Sequence, residues 1–266
     1  MTNTSAVRPP AVSGMFYKSD PNGLRDEVDA LLRSVSVSEE RTSLAEAYIV
    51  PHAGLRFSGG VAAEVYARMA RHVSEFSNVI LLGPSHRYPL HGYAASPAPA
   101  WSTPLGDVRL RATDAAPTMA QPHLKEHSLE VQLPFLQSIL PEGFTITPVA
   151  VGMSDPGDTA TLIDRLVAER AEEGTVVLCS TDLSHYHDRD TAAELDGQTA
   201  EAIVALQPRR ISMERACGIF ALRGLLEWAA QRGLTARRLR LGSSADTFGT
   251  PDRVVGYSSF AFHSDR

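Results

Sequence analysis

Asn78-Val79-Ile80-Leu81-Leu82-Gly83-Pro84-Ser85-His86 is the stretch whose reading decides the fold. Val79 to Leu82 form an unbroken apolar run, the mark of a strand buried on both faces. Gly83 and Pro84 end it, since neither continues a ladder well, and His86 follows at once. The pattern occurs twice more. Ala47-Tyr48-Ile49-Val50 runs into Pro51-His52-Ala53-Gly54, and Val176-Val177-Leu178-Cys179 runs into Ser180-Thr181-Asp182-Leu183-Ser184-His185. Ligands of an open α/β sheet sit in the crevice outside the strand carboxyl ends. If these strands are parallel neighbours, His52, His86, Asp182 and His185 converge there. A single such histidine is most simply structural, whereas three at equivalent positions point to a site.

The rest of the chain supports an α/β reading: a single domain over residues 1–266, with a central, mostly parallel or mixed sheet flanked by helices. Residues 8–17 hold too many turn formers for a helix and read as an extended arm packed on the domain. Asp20-Pro21 opens a helix with Leu24, Val28, Leu31 and Leu32 inward, and residues 34–42 form a polar connection. Residues 54–60 read as a glycine-rich turn before the next helix. In the irregular stretch 87–121, Gly106-Asp107 marks a turn between two short strands. Residues 126–136 read as a helix, which Pro134 must kink unless it starts near Leu133. A strand over 144–151, helices over 158–172, 192–206 and 217–232, and strands over 237–242 and 254–263 complete the chain.

Composition excludes several classes. The 266 residues are 43% apolar, an ordinary globular value, and carry a net charge of -6 from interspersed acids and bases. No basic patch argues for nucleic acid. No apolar run has membrane-spanning length, and Met1-Thr2-Asn3-Thr4-Ser5 lacks a secretory pattern, so a cytoplasmic location is expected. With only Cys179 and Cys217, far apart, a disulfide is not expected in a reducing compartment.

His52 and His86 are the leading metal ligands, because neutral imidazole binds metals well and a rigid strand end holds it in place. Cys217, just before a helix, is either a third ligand, a nucleophile of lowered pKa, or a buried small hydrophobe. Asp182 and His185, three apart on a loop, suit general acid–base work or support of a neighbouring imidazole, with Asp182 as a helix cap the plainer alternative. Glu126, His127 and Glu130 either line the pocket and bond the loops bearing His52 and His86, or form a solvated first helical turn. Cys179 reads as structural.

Taken in order, these motifs resemble the Memo family, whose bacterial and archaeal members are called AmmeMemoRadiSam system protein B. The resemblance is carried by residues 8–17, Pro51-His52-Ala53-Gly54 with Ser58-Gly59, Leu82-Gly83-Pro84-Ser85-His86, Glu126-His127-Ser128-Leu129-Glu130 with Leu133-Pro134-Phe135, Ser180 to Tyr186, and Cys217-Gly218. It implies an α/β domain similar to class III extradiol dioxygenases. It also implies a metal site of His52, His86 and Cys217, with Asp182 and His185 as pocket residues and His127 in the matched helix. Fe(II) is the expected ion, with Cu or Zn as alternatives, because a thiolate in place of a carboxylate is a softer ligand. The expected activity is redox and dioxygenase-like on a small-molecule or peptide substrate, with a radical-SAM protein as a possible partner. The alternatives are a non-catalytic metal- or peptide-binding scaffold and a metal-free Cys217–His hydrolase. Leu55 departs from the aromatic residue more common after that glycine.

Overall fold

In the computed structural model, which describes residues 6–37, 43–171 and 174–264, the three histidine-tipped strands lie side by side in one sheet. The elements in chain order are α1 (Pro21–Arg33), β1 (Ala47–Val50), α2 (Leu55–Met69), β2 (Asn78–Gly83), β3 (Tyr93–Ala95), β4 (Ala100–Thr103), β5 (Gly106–Leu110) and α3 (Gln121–Leu124). Then come α4 (Leu133–Ile139), β6 (Thr145–Val151), α5 (Pro156–Ala168), β7 (Thr175–Ser180), β8 (His185–His187), α6 (Arg189–Val204), α7 (Ile219–Gln231), β9 (Thr235–Ser243) and β10 (Val254–His263). The sheet runs β4-β5-β6-β2-β7-β1-β10-β8, with β3 also on β6 and β9 also on β10. Its centre is parallel: β7 pairs with β2 on one side and β1 on the other. Both ends are antiparallel, so the sheet is mixed.

Period-2 alternation fills both faces with core. On β1, β2 and β7, Ile49, Ile80, Leu82 and Val177 enter one cluster with Ile163 and Leu166 of α5 and Leu222, Leu225 and Trp228 of α7. Tyr48, Val79, Leu81, Val176 and Leu178 enter the other, with Leu24 and Val28 of α1, Val65 and Tyr66 of α2, and Phe135 and Leu136 of α4. Each fully buried large apolar side chain contributes about 1.5–3 kcal/mol, which is why the strands tolerate no polar face. The helix after β1 covers one face and the helices after β7 cover the other. The loops leaving β1 and β7 stay joined, with the Thr181 amide on Val50 O at 2.9 Å and the His52 amide on Asp182 Oδ1 at 2.7 Å.

Local chemistry explains most boundaries. Asp20 accepts the Gly23 amide at 2.6 Å and caps α1, where Leu24 and Val28 are buried while Leu31 and Leu32 are only partly so. Asp155 caps α5, which starts at Pro156 and ends at Ala168, short of the expected 172, a residue outside the described ones. The polar connection is likewise described only for 34–37, and the N-terminal five residues lie outside as well.

Three expectations need correction. Residues 55–60 are the first turns of α2, not a turn before it. A Cβ on Gly59 would sit 2.7 Å from Leu31 Cδ1, so this glycine lets α1 and α2 approach. The hairpin turn falls on Pro104-Leu105, with Gly106 already paired to Thr103 at a φ of +117° that favours glycine. The helix expected over 126–136 begins only at Leu133, with Pro134 in its first turn. Ahead of it, Glu130–Gln132 form a 3₁₀ turn.

The N-terminal arm packs as expected. It hydrogen-bonds along the β4 edge through Arg8 N–H to Ala100 O at 2.9 Å and Ser102 N–H to Arg8 O at 2.8 Å. Among the described residues, no helix is long and apolar enough to cross a membrane.

Candidate metal centre

His52 leaves β1 and is only 1% exposed. Its backbone N–H donates to Asp182 Oδ1 at 2.7 Å, and its Nδ1 lies 2.8 Å from Ser180 Oγ at the end of β7. Ser180 gives its one hydroxyl proton to Ser128 O at 2.6 Å and also accepts from Gln132 Nε2 at 3.0 Å. The Ser180 oxygen must therefore accept from the imidazole. That fixes His52 as the Nδ1–H tautomer, with the Nε2 lone pair free.

His52, His86 and His127 form a cluster in which one ligand nitrogen from each lies within 4.8 Å of the others. The His86 and His127 rings stack, with centroids 4.7 Å apart, and His52 stands edge-on to both at 5.2 and 5.4 Å. Phe16 of the N-terminal arm closes the far side of His127 at 4.6 Å. Burial, then the neighbouring imidazoles, holds His52 well below the usual histidine range, and burial brings His127 down to about 4. Both rings are thus neutral at pH 7, the form that binds metals.

Cys217 Sγ lies 3.1 Å from His52 Nε2, so its thiol proton faces that lone pair, and it accepts the Asp182 amide N–H at 3.2 Å. The Cys217 thiol is not acidified, contrary to expectation. Burial, reinforced by the Asp182 carboxylate, pushes the thiol well above its ordinary value, and these outweigh the amides that face the sulfur. In the absence of a cation the thiol stays protonated, which disfavours a metal-free thiolate nucleophile.

Asp182 and His185 do not pair through their side chains. The Asp182 carboxyl, raised to about 7 by burial, is taken up by the His52 and Ala53 amides and holds the β1 loop in place. His185 lies in the short strand β8, not a loop, with its Nδ1 2.8 Å from Leu183 O. That contact leaves its Nε2 free, and burial lowers its pKa. The mutual effects of His185 with His52 and His86 place it beside the cluster. The next residue, Tyr186, is 63% exposed, has a φ of +67° and carries the Arg253 guanidinium over its ring at 4.4 Å.

Glu126 is buried against His86, as the loop-bonding alternative requires. Glu130 faces the other way and holds the N-terminal arm through Arg8 and Tyr17. Gln132, which donates to Ser180 and Pro51 O and accepts from Tyr66, is a further residue of the site. Its one signal in the sequence is its place two residues beyond Glu130. Cys179 is fully buried in β7, as expected of a structural residue.

The donor set suits a soft or borderline transition metal: three imidazoles with one ligand nitrogen each within 4.8 Å of the others, and a half-buried thiol that a cation could deprotonate. Comparison with known proteins agrees with the sequence motifs. Residues 8–261 match the family model described as Memo-like protein. A MEMO1 family protein of Sulfolobus acidocaldarius is 32% identical over 283 aligned residues, covering 96% of this chain and 99% of the relative. One from Methanosarcina acetivorans is 34% identical over 274, covering 95% and 98%. One from Methanopyrus kandleri is 32% identical over 283, covering 96% and 98%. With this likeness spanning the arm, the histidine cluster and the cysteine loop alike, the chain belongs to the Memo family.

Proposed function

We propose that this protein is a non-haem metal-dependent redox enzyme, dioxygenase-like in its chemistry, in which His52, His86 and Cys217 hold the metal. The observation that carries the reading is the convergence of three imidazoles within 4.8 Å, with the Cys217 sulfur 3.1 Å from one of them. Fe(II) is the ion we favour, with Cu and Zn as the alternatives that a sulfur ligand allows. When bound, such an ion supplies a site for activating dioxygen or a reducing substrate.

The chain's own residues do the rest. Ser180 orients His52 so that Nε2 faces inward, and Asp182 fixes the backbone that carries it. His185, with Nδ1–H tied to Leu183 O, presents a free Nε2 that can take and return a substrate proton. His127, stacked on His86 and walled by Phe16, closes the opposite side and is a second acid–base candidate. The substrate is a small molecule or peptide, and a radical-SAM protein is the partner the family resemblance points to. Nothing in the charge pattern fits nucleic acid.

Protein purified under argon and reconstituted is expected to hold one equivalent of Fe, Cu or Zn per chain by elemental analysis. Substoichiometric metal under every condition overturns the reading. His185→Ala should keep both the metal and the wild-type melting temperature. Its oxygen consumption with a reducing or phenolic substrate should fall by a factor on the order of 100, the usual size of a general acid–base contribution. A collapsed melting temperature would make His185 structural, and unchanged turnover would make it a bystander. Stoichiometric metal without oxygen uptake on any such substrate would favour the scaffold alternative.

A further inference from the structure

We propose that Glu126 is a positioning residue that selects the metal-ready tautomer of His86 and locks its ring towards the cluster. The proposal rests on the metal-site reading above for its purpose, but its geometry stands alone. Glu126 is 1% exposed and sits in the connection between α3 and α4, forty residues from His86 in sequence. It grips His86 at two points. Oε2 accepts the His86 backbone N–H at 2.5 Å, and Oε1 lies 2.9 Å from His86 Nδ1. Oε1 also accepts the His127 and Ser128 backbone N–H groups, each at 2.9 Å, and His127 Nδ1 lies 3.3 Å from it.

A backbone N–H can only donate, so both carboxylate oxygens act as acceptors. Three backbone N–H groups donate to these two oxygens, the bonding of an ionised carboxylate with no proton to offer, so His86 Nδ1 carries the proton. The lone pair is therefore on Nε2. The same reasoning puts the His127 proton on the nitrogen nearest Glu126, although at 3.3 Å that contact is looser.

His86 needs such a clamp more than His52 does. The His86 side chain is 28% exposed, on a loop beyond the end of β2, while His52 is buried against Ser180. An exposed imidazole held only by its own loop samples several rotamers and both tautomers. A two-point grip on the amide and ring of one residue fixes χ1, ring plane and donor atom together. A carboxylate behind a ligating histidine also raises its basicity, and losing such a partner typically lowers metal affinity by about 10–100-fold. The same Glu126 carboxylate orders the turn that presents His127, so one side chain sets two of the three imidazoles.

The test has two readouts. In metal-free wild-type protein with ¹⁵N-labelled histidine, long-range ¹H–¹⁵N correlation should report His86 as the Nδ1–H tautomer. Finding His86 as Nε2–H overturns the proposal whether or not the protein binds metal. The second readout is Zn(II) and Co(II) affinity of Glu126→Gln by chelator competition. In either amide orientation its NH2 faces an N–H that the carboxylate had satisfied, so affinity should fall about 10-fold or more and the Co(II) d–d spectrum should change. Wild-type affinity together with a wild-type spectrum would overturn the proposal. If the variant fails to fold, the wild-type tautomer decides alone. If wild-type protein takes up neither ion, the metal-site reading fails, and the tautomer measurement still judges the role of Glu126.

Discussion

Replacing Arg8 by alanine is expected to cost about 3–5 kcal/mol of stability, the usual consequence of stranding a buried carboxylate without its cation. The Glu130 side chain is fully buried, and Arg8 Nη1 donates to it at 2.6 Å. The same oxygens accept the Ala11 and Val12 amides at 2.8 and 3.0 Å and the Tyr17 hydroxyl at 2.6 Å. Burial, then the Glu130 charge, holds the Tyr17 phenol far above its ordinary range, so it stays a donor. Arg8 also donates to the His123 and Glu126 carbonyls, each at 2.7 Å, and lies over the Trp101 ring at 4.4 Å. Alanine strips the buried carboxylate of its cation, leaves the His123 and Glu126 carbonyls without the Arg8 donors, and removes the guanidinium that seats the arm. Because Phe16 on that arm walls His127, the damage reaches the site. Urea unfolding followed by tryptophan fluorescence measures the loss. A drop below about 1 kcal/mol would mean that the arm is held by its backbone contacts alone.

The sheet was legible because its centre is buried on both faces. Val79 to Leu82, Tyr48 to Val50 and Val176 to Cys179 cannot be anything but interior strands once their punctuation by glycine, proline and serine is noticed. The histidines at their ends were legible for the same reason, since parallel strands align their carboxyl ends. What escaped depends on partners distant in sequence. Gly59 looks like a turn former until Leu31 is seen lying on it. Glu126 reads either as a solvated first-turn acid or as a bond to the histidine loops, and only the fold decides for the second by wrapping it in amides of residues 86, 127 and 128. Asp182 looks like a partner for His185, three residues on, but it faces the amide of His52 instead. Cys217 looks like a thiol activated by a helix start, but burial outweighs the amides near it. In each case local spacing gives the chemistry of the side chain but not its partner, and the partner sets its role.

Cys217→Ser and His127→Ala are expected to part company. Two donors compete for the place beside His52 and His86. The His127 nitrogen lies within 4.8 Å of the other two imidazoles, and the Cys217 sulfur lies 3.1 Å from His52 Nε2. Distance favours His127, since among the described residues the ligand atoms within 4.8 Å of one another belong to the three histidines and not to Cys217, but chemistry favours the sulfur. The thiol proton points at the one lone pair that Ser180 leaves free on His52, so a cation arriving there displaces that proton and gains a thiolate. His127 is packed between the His86 ring and Phe16, and with Nδ1 turned to Glu126 it offers a neutral Nε2, a harder donor than a thiolate. Cys217→Ser should therefore weaken Cu(I) and Zn(II) binding on the order of 100-fold or more, and weaken Mn(II) far less, because an alcohol oxygen is a poor substitute for soft sulfur. It should also abolish the sulfur-to-metal charge-transfer absorption of the Co(II)-loaded protein. His127→Ala should keep that absorption and bind within about 10-fold of wild type, the lower end of what removing an outer partner costs. Should His127→Ala lose the metal while Cys217→Ser retains both affinity and spectrum, the centre would be an all-histidine site and the thiol a hydrogen-bond partner of His52.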